Sequence, residues 1–266
     1  MIHPTTIIDP SAQIGKNFKA GPFCYVGPHV IIGDDVELKS HVVLEGYTTL
    51  GNRNIIYPFA SIGHIPQDKK YSGEITSLEI GDDNIIREYV TMQPGTATDS
   101  KVTKIGNRGL FMVGTHIAHD CIIGDDVIFA NHATLAGHVM VENNVIIGGL
   151  SAIHQFVRIG AHAMIGGMSG VEHDVIPYGI VIGERARLSG LNLVGLKRRG
   201  FSQKSINALR EAYRTLFTPE TTEKATTFQE RLSLIKNEKA DIPEIESLIE
   251  FIQEESHRNL CMPKGG

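Results

Sequence analysis

The chain has 266 residues, with 25 Lys and Arg against 30 Asp and Glu and a formal net charge of −5. That balance argues against a nucleic-acid partner. Cys24, Cys121 and Cys261 form no CxxC and no even framework, which argues against a disulfide scaffold and fits free thiols in a reducing cytosol.

The first residues, MIHPTTIIDPSAQ, lack a basic leader followed by an apolar stretch, so no secretory signal is expected. No apolar run reaches the roughly 20 residues needed to cross a bilayer, so no membrane span is expected. Trp is absent and there are 28 glycines. This suits a turn-rich architecture better than a helical bundle.

From Ile2, every sixth residue is apolar: Ile2, Ile8, Ile14, Ala20, Val26, Ile32, Leu38, Leu44, Leu50, Ile56 and Ile62. The phase survives a gap to Ile80, Ile86 and Met92. After a second gap it resumes one residue shifted, from Ile105 through Phe111, Ile117, Ile123, Phe129, Leu135, Val141, Ile147, Ile153, Ile159 and Ile165 to Val171. Residues two before each hit in this run are mostly small or β-branched. Two inward positions flanking one outward position is strand periodicity. Glycine often follows the hit, as in Gly15, Gly33, Gly51 and Gly106, and is read as the exit from the strand into a turn.

Each hexad is therefore a short strand plus a corner, and three hexads close an 18-residue coil. A parallel β-helix is predicted over 1–187. Two polar interruptions, 63–79 and 94–104, are predicted excursions from it. Loops on a regular scaffold commonly carry binding sites. A helical region is predicted over 188–266. Ser202 is its first N-cap, before Ile206, Leu209, Tyr213 and Leu216 at helix spacing. A second helix carries Phe228, Leu232 and Ile235, and a third follows Pro243. A region this small is expected to pack on the β-helix of its own or a neighbouring chain.

The densest chemistry lies in FMVGTHIAHDCIIG and NHATLAGHV. His119 sits two past a hit, at a corner. Steps of 18 lead to Gly137 and Gln155, so these three stack along one edge. His138 follows Gly137, and His116 points outward beside the same corner. A histidine acts as a general base at neutral pH. A glycine N–H one coil away stabilises an oxyanion. Asp120 is placed to orient the imidazole. The set suits acyl transfer to a hydroxyl or amine without a covalent enzyme intermediate. There is no GxSxG elbow, and Cys121 occupies an inward position.

The plainer reading of a histidine is a surface or hydrogen-bonded residue, and it is kept for His3, His29, His41 and His257. The competing sharp reading is zinc on the clustered histidines. No acidic or cysteine residue is seen to complete that set, so no metal and no cofactor is expected.

The segments HIAHDC, NHATLAGH, IHQF, IGAHAMIGGMSGV and GLKRRGFS, in this order, together with the loop IPQDKKYSGE, resemble the UDP-N-acetylglucosamine O-acyltransferases that begin lipid A synthesis. The resemblance covers nearly the whole chain. It implies a left-handed parallel β-helix of hexapeptide repeats with a small C-terminal α-helical domain. It also implies a cytoplasmic homotrimer. The implied reaction moves an (R)-3-hydroxyacyl chain from acyl carrier protein to the 3-position of the UDP-sugar. His119 then matches the base, Asp120 its support and Gly137 the oxyanion donor. His138 and Gln155 match residues lining the reacting centre and donor side. Gln67, Asp68, Lys70 and His116 match sugar-nucleotide contacts, and Asn192, Arg198 and Arg199 match contacts toward the nucleotide or its phosphates.

An Arg pair suits phosphate oxygens, although Lys197–Arg199 also reads as a solvated basic face. Gly167 matches the position that limits acyl length, where a glycine leaves room for a longer chain. It lies 48 residues beyond His119, so it falls on another face of the prism, which fits sites shared between subunits. Gln93, Val194 and the Gly114–Thr115 pair depart from the family pattern and leave a 3-hydroxyl or a 3-amino acceptor open. The N-acyltransferase of the same pathway usually carries an extra N-terminal domain, whereas here the repeat starts at Ile2.

Overall fold

The computed structural model describes residues 1–97, 100–217, 227–239 and 241–264. The parts of the predicted excursion and helical region at 98–99, 218–226, 240 and 265–266 lie outside the described residues. The chain winds into a left-handed parallel β-helix with three faces. The first face runs from strand Ile7–Ile8 to Gly170–Val171. The second runs from Gln13–Ile14 to Arg158–Ile159, and the third starts at Lys19–Ala20. Register confirms the 18-residue coil: Ile128 lies beside Ile146, and Ile146 beside Met164. Alternate residues point inward, and the column of hits is the core, with Leu44, Ile86, Phe111, Ile117, Phe129 and Leu135 fully buried.

The corners are built differently from the expectation. The left-handed residue is usually not glycine but the residue three past the hit, such as Asn17, Asp35, Arg53, Asp120 or His138, with φ of 56 to 62°. Asn, Asp and His tolerate this region best among L-residues. Glycines such as Gly15, Gly51 and Gly106 have another reason. A Cβ there would lie 2.4 to 2.5 Å from atoms of the next coil. They permit close stacking rather than unusual dihedrals.

A polar ladder runs up the edge between the second and third faces. The N–H groups of Lys16, Asp34, Asn52, Asp82, Asn107 and Asp125 each donate to an Asp or Asn side chain one coil on, at 2.7 to 2.8 Å. A second ladder lies inside. Asn84, fully buried, donates through Nδ2 to the Gly81 and Gly106 carbonyls, and its Oδ1 accepts from the Gly109 N–H at 2.7 Å. Asn84→Ala removes all three bonds and strands a buried donor. We expect a loss of at least ~2 kcal/mol, read as a lower urea midpoint.

Both excursions leave from the same edge, between the first and second faces. The first separates Ile62 from Ser77, and the second separates Met92 from Val102. Ser77–Ile80 and Val102–Ile105 are already strands, so the ends of the predicted interruptions belong to the coil. The sequence pattern missed this because Ser77, Glu79 and Lys104 face outward there and the inward, fully buried Thr103 is itself polar.

Beyond Val171 the third face continues into Gly179–Ile182. This strand pairs antiparallel with Arg187–Leu191, so residues 188–191 extend the sheet. Helix α1 (Leu193–Arg198) follows, then α2 (Gln203–Phe217), α3 (Phe228–Lys239) and α4 (Pro243–Gln253). Ser202 caps α2, its Oγ accepting from the Ser205 N–H at 3.0 Å. Leu209, Leu232 and Ile249 join the same apolar core as the last coils, so the helices pack on their own β-helix. No helix among the described residues is long and apolar enough to cross a membrane.

Two outer surfaces are apolar. The third face presents Ile55, Ile85, Leu110, Ile128, Ile146, Met164 and Ile180 outward in register. Phe23, His41, Phe59 and Tyr89 stack along the edge between third and first faces, with centroids 4.9 to 5.2 Å apart.

Candidate active site

The edge that releases both excursions also carries the histidine corner. His119 and Asp120 follow strand His116–Ile117, and the corner turns into Ile122–Ile123. One coil on lie Gly137 and His138, and one further lie Gln155 and Phe156. Stacking is close: the His138 N–H donates to the His119 carbonyl at 3.0 Å.

The His119 Nδ1 lies 2.9 Å from Asp120 Oδ2. The same carboxylate accepts the Thr96 N–H at 3.0 Å and the Thr96 hydroxyl at 2.7 Å. The Asp120 N–H donates to Thr103 Oγ1 at 2.8 Å. Burial alone would raise the Asp120 pKa. The bonds from His119 and Thr96 and the charge of His138 outweigh it, and the carboxyl titrates below its ordinary value. An ionised Asp120 only accepts, so Nδ1 of His119 carries a proton, and in the neutral ring Nε2 is left with its lone pair.

Gly137 lies directly against this ring. A Cβ on Gly137 would fall 2.4 Å from His119 Cε1 and 2.7 Å from Nε2. Among the described residues the Gly137 N–H makes no hydrogen bond, whereas six equivalent corner amides on the ladder edge are all bonded. An unpaired base nitrogen and an unpaired amide donor therefore adjoin.

His119 opens on a cleft of 590 Å³ whose lining is Gln67, Asp68, Lys70, His119, His138, Gln155, Phe156 and His257. Six of these residues come from the sequence reading. Phe156 and His257 do not. His138 stacks on Phe156 at 4.5 Å and meets His119 edge-on at 5.0 Å. Steps of 18 from His138 would have found Phe156. His257 arrives on the C-terminal tail, and no periodicity points to it; it is exposed, as the surface reading expects, and it also borders the cleft.

His116 lies beside the cleft, its Nδ1 2.7 Å from Thr91 Oγ1. Burial, and then the charge of His119, hold its pKa below the ordinary value. Gln93 is buried, and its Oε1 accepts from the Gln67 N–H at 3.1 Å; it holds the first excursion at the residues that line the cleft. Gly114, with φ of 70°, gives its space to the His132 ring, and the Thr115 hydroxyl bonds the Met112 carbonyl. That departure is structural and lies on another edge. Val194 is exposed on α1.

The remaining predicted residues sit elsewhere on the prism. Asn192 is buried as the cap of α1, accepting from the Gly195 N–H at 3.0 Å and donating to the His162 carbonyl at 2.9 Å. Arg199 donates to the Asn144 carbonyl at 2.9 Å, and Arg198 is exposed next to it. His162 and Asn144 are corners between the second and third faces, so this group borders a different edge from His119. Gly167 lies on the third edge, between third and first faces, where a Cβ would point at the Gly149 carbonyl oxygen.

For a metal, ligand atoms of His119, Asp120 and His138 lie within 4.8 Å of one another. Asp120 thus supplies the acidic member that sequence reasoning missed. Its oxygens already accept from His119 and Thr96, which accounts for the set by hydrogen bonding.

Residues 174–261 match the family described as UDP-N-acetylglucosamine O-acyltransferase, domain 2, and residues 11–46 match the bacterial transferase hexapeptide repeat. An acyl-[acyl-carrier-protein]--UDP-N-acetylglucosamine O-acyltransferase of Rhizobium johnstonii is 43% identical over 265 residues, covering 100% of this chain and 96% of that protein. The UDP-N-acetylglucosamine O-acyltransferase structure from Moraxella catarrhalis is 45% identical, with a TM-score of 0.92 over 98% of this chain and 99% of its own. The UDP-N-acetylglucosamine acyltransferase of Francisella novicida is 36% identical, with a TM-score of 0.94 over 100% and 95%. With the fold and full-length similarity in agreement, the chain belongs to the UDP-N-acetylglucosamine O-acyltransferase family.

Proposed function

We propose that this protein transfers an (R)-3-hydroxyacyl chain from acyl carrier protein to the 3-hydroxyl of UDP-N-acetylglucosamine, in the cytoplasm, as the first step of lipid A biosynthesis. The observation that carries the mechanism is the lone pair on His119 Nε2 beside the open Gly137 N–H. Nε2 takes the proton of the sugar hydroxyl as that oxygen attacks the thioester carbonyl. The Gly137 N–H stabilises the tetrahedral oxyanion. Collapse breaks the carbon–sulfur bond, and the thiolate leaves with the proton that His119 returns. Asp120 holds the ring and its tautomer throughout. Gln67, Asp68 and Lys70 take the sugar nucleotide with His116, while His138 and Gln155 flank the reacting centre and donor side.

Family membership and three separate edges together support a homotrimer. A neighbour that presents its third face to the His119 edge brings both borders of that face: Asn192, Arg198 and Arg199 on one side, Gly167 on the other. The apolar outward column of that face suits burial against a second copy. In this arrangement the neighbour's arginine pair reaches the nucleotide phosphates.

The test is an assay matrix. Hydroxyacyl carrier proteins of several lengths are offered with UDP-N-acetylglucosamine or its 3-amino analogue. Transfer to the 3-hydroxyl sugar is expected, and transfer to neither sinks the proposal. Stoichiometric zinc retained through chelation and needed for turnover would favour the metal reading instead. The same matrix tests the acyl ruler. Gly167 is not in the left-handed region, and a Cβ there would lie 3.3 Å from the Gly149 carbonyl oxygen, a tight contact that a backbone shift of a few tenths of an ångström relieves. Gly167→Met is expected to move the preferred chain from about 12–14 carbons to a shorter one by at least tenfold in relative kcat/KM. Unchanged selectivity would retire the ruler.

A further inference from the structure

The segment after α4 returns to the catalytic edge and is bolted there. Arg158 is outward on the last strand of the second face, yet buried. Its Nε donates to Asp174 Oδ2 at 2.9 Å, its Nη1 to Glu254 Oε2 at 2.6 Å, and its Nη2 to the Phe251 carbonyl at 3.0 Å. Asp174 also accepts the Ser256 hydroxyl at 2.6 Å, and its backbone exchanges bonds with Asn259 and Cys261. Val175 pairs with Ile159, 16 residues before it, so Asp174 lies beside Arg158 on the second face and the bolt stands one coil beyond the cleft.

What the bolt holds is specific. Arg258 Nε donates to the Gln155 carbonyl at 2.9 Å, and its Nη2 donates to His154 Nδ1. The His257 ring lies 5.0 Å from Phe156 and lines the cleft. A buried ion pair is by itself weak support for stability, since apolar replacement is often neutral. Its distinctive contribution here is position. The cleft has two end walls about the base. The excursion with Gln67, Asp68 and Lys70 closes one, and the tail closes the other.

We propose that residues 254–261 are a strap that completes the donor end of the cleft, with Arg258 a positioning residue for the His154–Phe156 turn and the Arg158–Asp174 pair its anchor. The word donor rests on the acyl-transfer reading above. Acting through the turn, the strap sets where the thioester meets Gly137.

The experiment compares wild type with Arg258→Ala, Arg258→Lys and Arg158→Met, by steady-state kinetics and by amide hydrogen exchange. Arg258→Ala should raise the KM for hydroxyacyl carrier protein about tenfold. The sugar-nucleotide KM, the pH profile and the melting temperature should stay unchanged. Exchange at Phe156 and Val157 should accelerate. Arg258→Lys should behave like alanine, because an ammonium cannot reach both acceptors at once. Arg158→Met should reproduce the donor effect with faster exchange across 254–261. Equal effects on both substrates, an unchanged donor KM, or unchanged exchange would overturn the strap. If wild type transfers no acyl group, the parent reading fails by itself, and the donor assignment falls with it. The exchange arm then still decides the positioning claim, with protection unchanged in Arg258→Ala as the refuting result.

Discussion

His119→Ala is expected to lower kcat about a thousandfold while the β-helix persists, since general-base catalysis contributes roughly 10²- to 10⁴-fold. The fold survives because Asp120 keeps both bonds from Thr96 and its own N–H bond to Thr103. Circular dichroism and single-turnover kinetics check the two halves separately. Asp120→Asn should cost about a hundredfold for a different reason. Either its amide nitrogen faces the Thr96 N–H, donor against donor, or it faces His119 Nδ1 and turns the ring into the tautomer whose Nε2 is protonated. A normal rate in His119→Ala would remove it as the base.

The dyad also makes a pH statement. Asp120 has a folded pKa below its ordinary value of 3.8. Its contribution to stability is therefore fully present above about pH 4 and is lost as pH falls through the lower folded value. Urea midpoints followed downward from neutral pH should fall less steeply in Asp120→Asn than in wild type over that acid range. The opposite slope would mean the carboxyl is raised rather than lowered.

The coil was legible in the sequence because its core is a one-residue column. Every sixth position must be apolar, and steps of 18 then place His119, Gly137 and Gln155 correctly. The same arithmetic applied to His138 leads to Phe156, so that residue was within reach. The glycines misled. They were read as turn formers, but at Gly15 or Gly106 the cause is the next coil's backbone, which a period alone does not reveal. Thr96 and Arg258 were invisible, and Gln93 visible only as a departure from the family pattern, for a third reason. They reach the site from excursions or the tail, where contacts depend on tertiary folding. Asn192 shows the converse. The family pattern points to it as a ligand contact, and what that pattern does not show is the structural role, one N–H bonding the His162 carbonyl and one oxygen lone pair capping α1.

Gly137→Ala separates two readings of one glycine. Its φ lies outside the left-handed region, so alanine is compatible with the backbone, and the unpaired N–H is retained. If that N–H were all that mattered, alanine would be nearly silent. The geometry says otherwise. The added methyl would sit 2.4 Å from His119 Cε1 and 2.7 Å from Nε2, well inside contact distance, so the ring must move. The ring is held by Asp120 on one side and meets His138 edge-on at 5.0 Å. It therefore has to break the 2.9 Å bond or swing its Nε2 away from the cleft. Displacement of a reacting atom by about 1 Å costs roughly a hundredfold, so kcat should fall by at least that much. The His119 Nδ1 proton resonance should shift or broaden, reporting the altered bond to Asp120. A full rate in Gly137→Ala with an unmoved resonance would show that the site tolerates a methyl there, and the close approach of ring and glycine would lose its catalytic meaning.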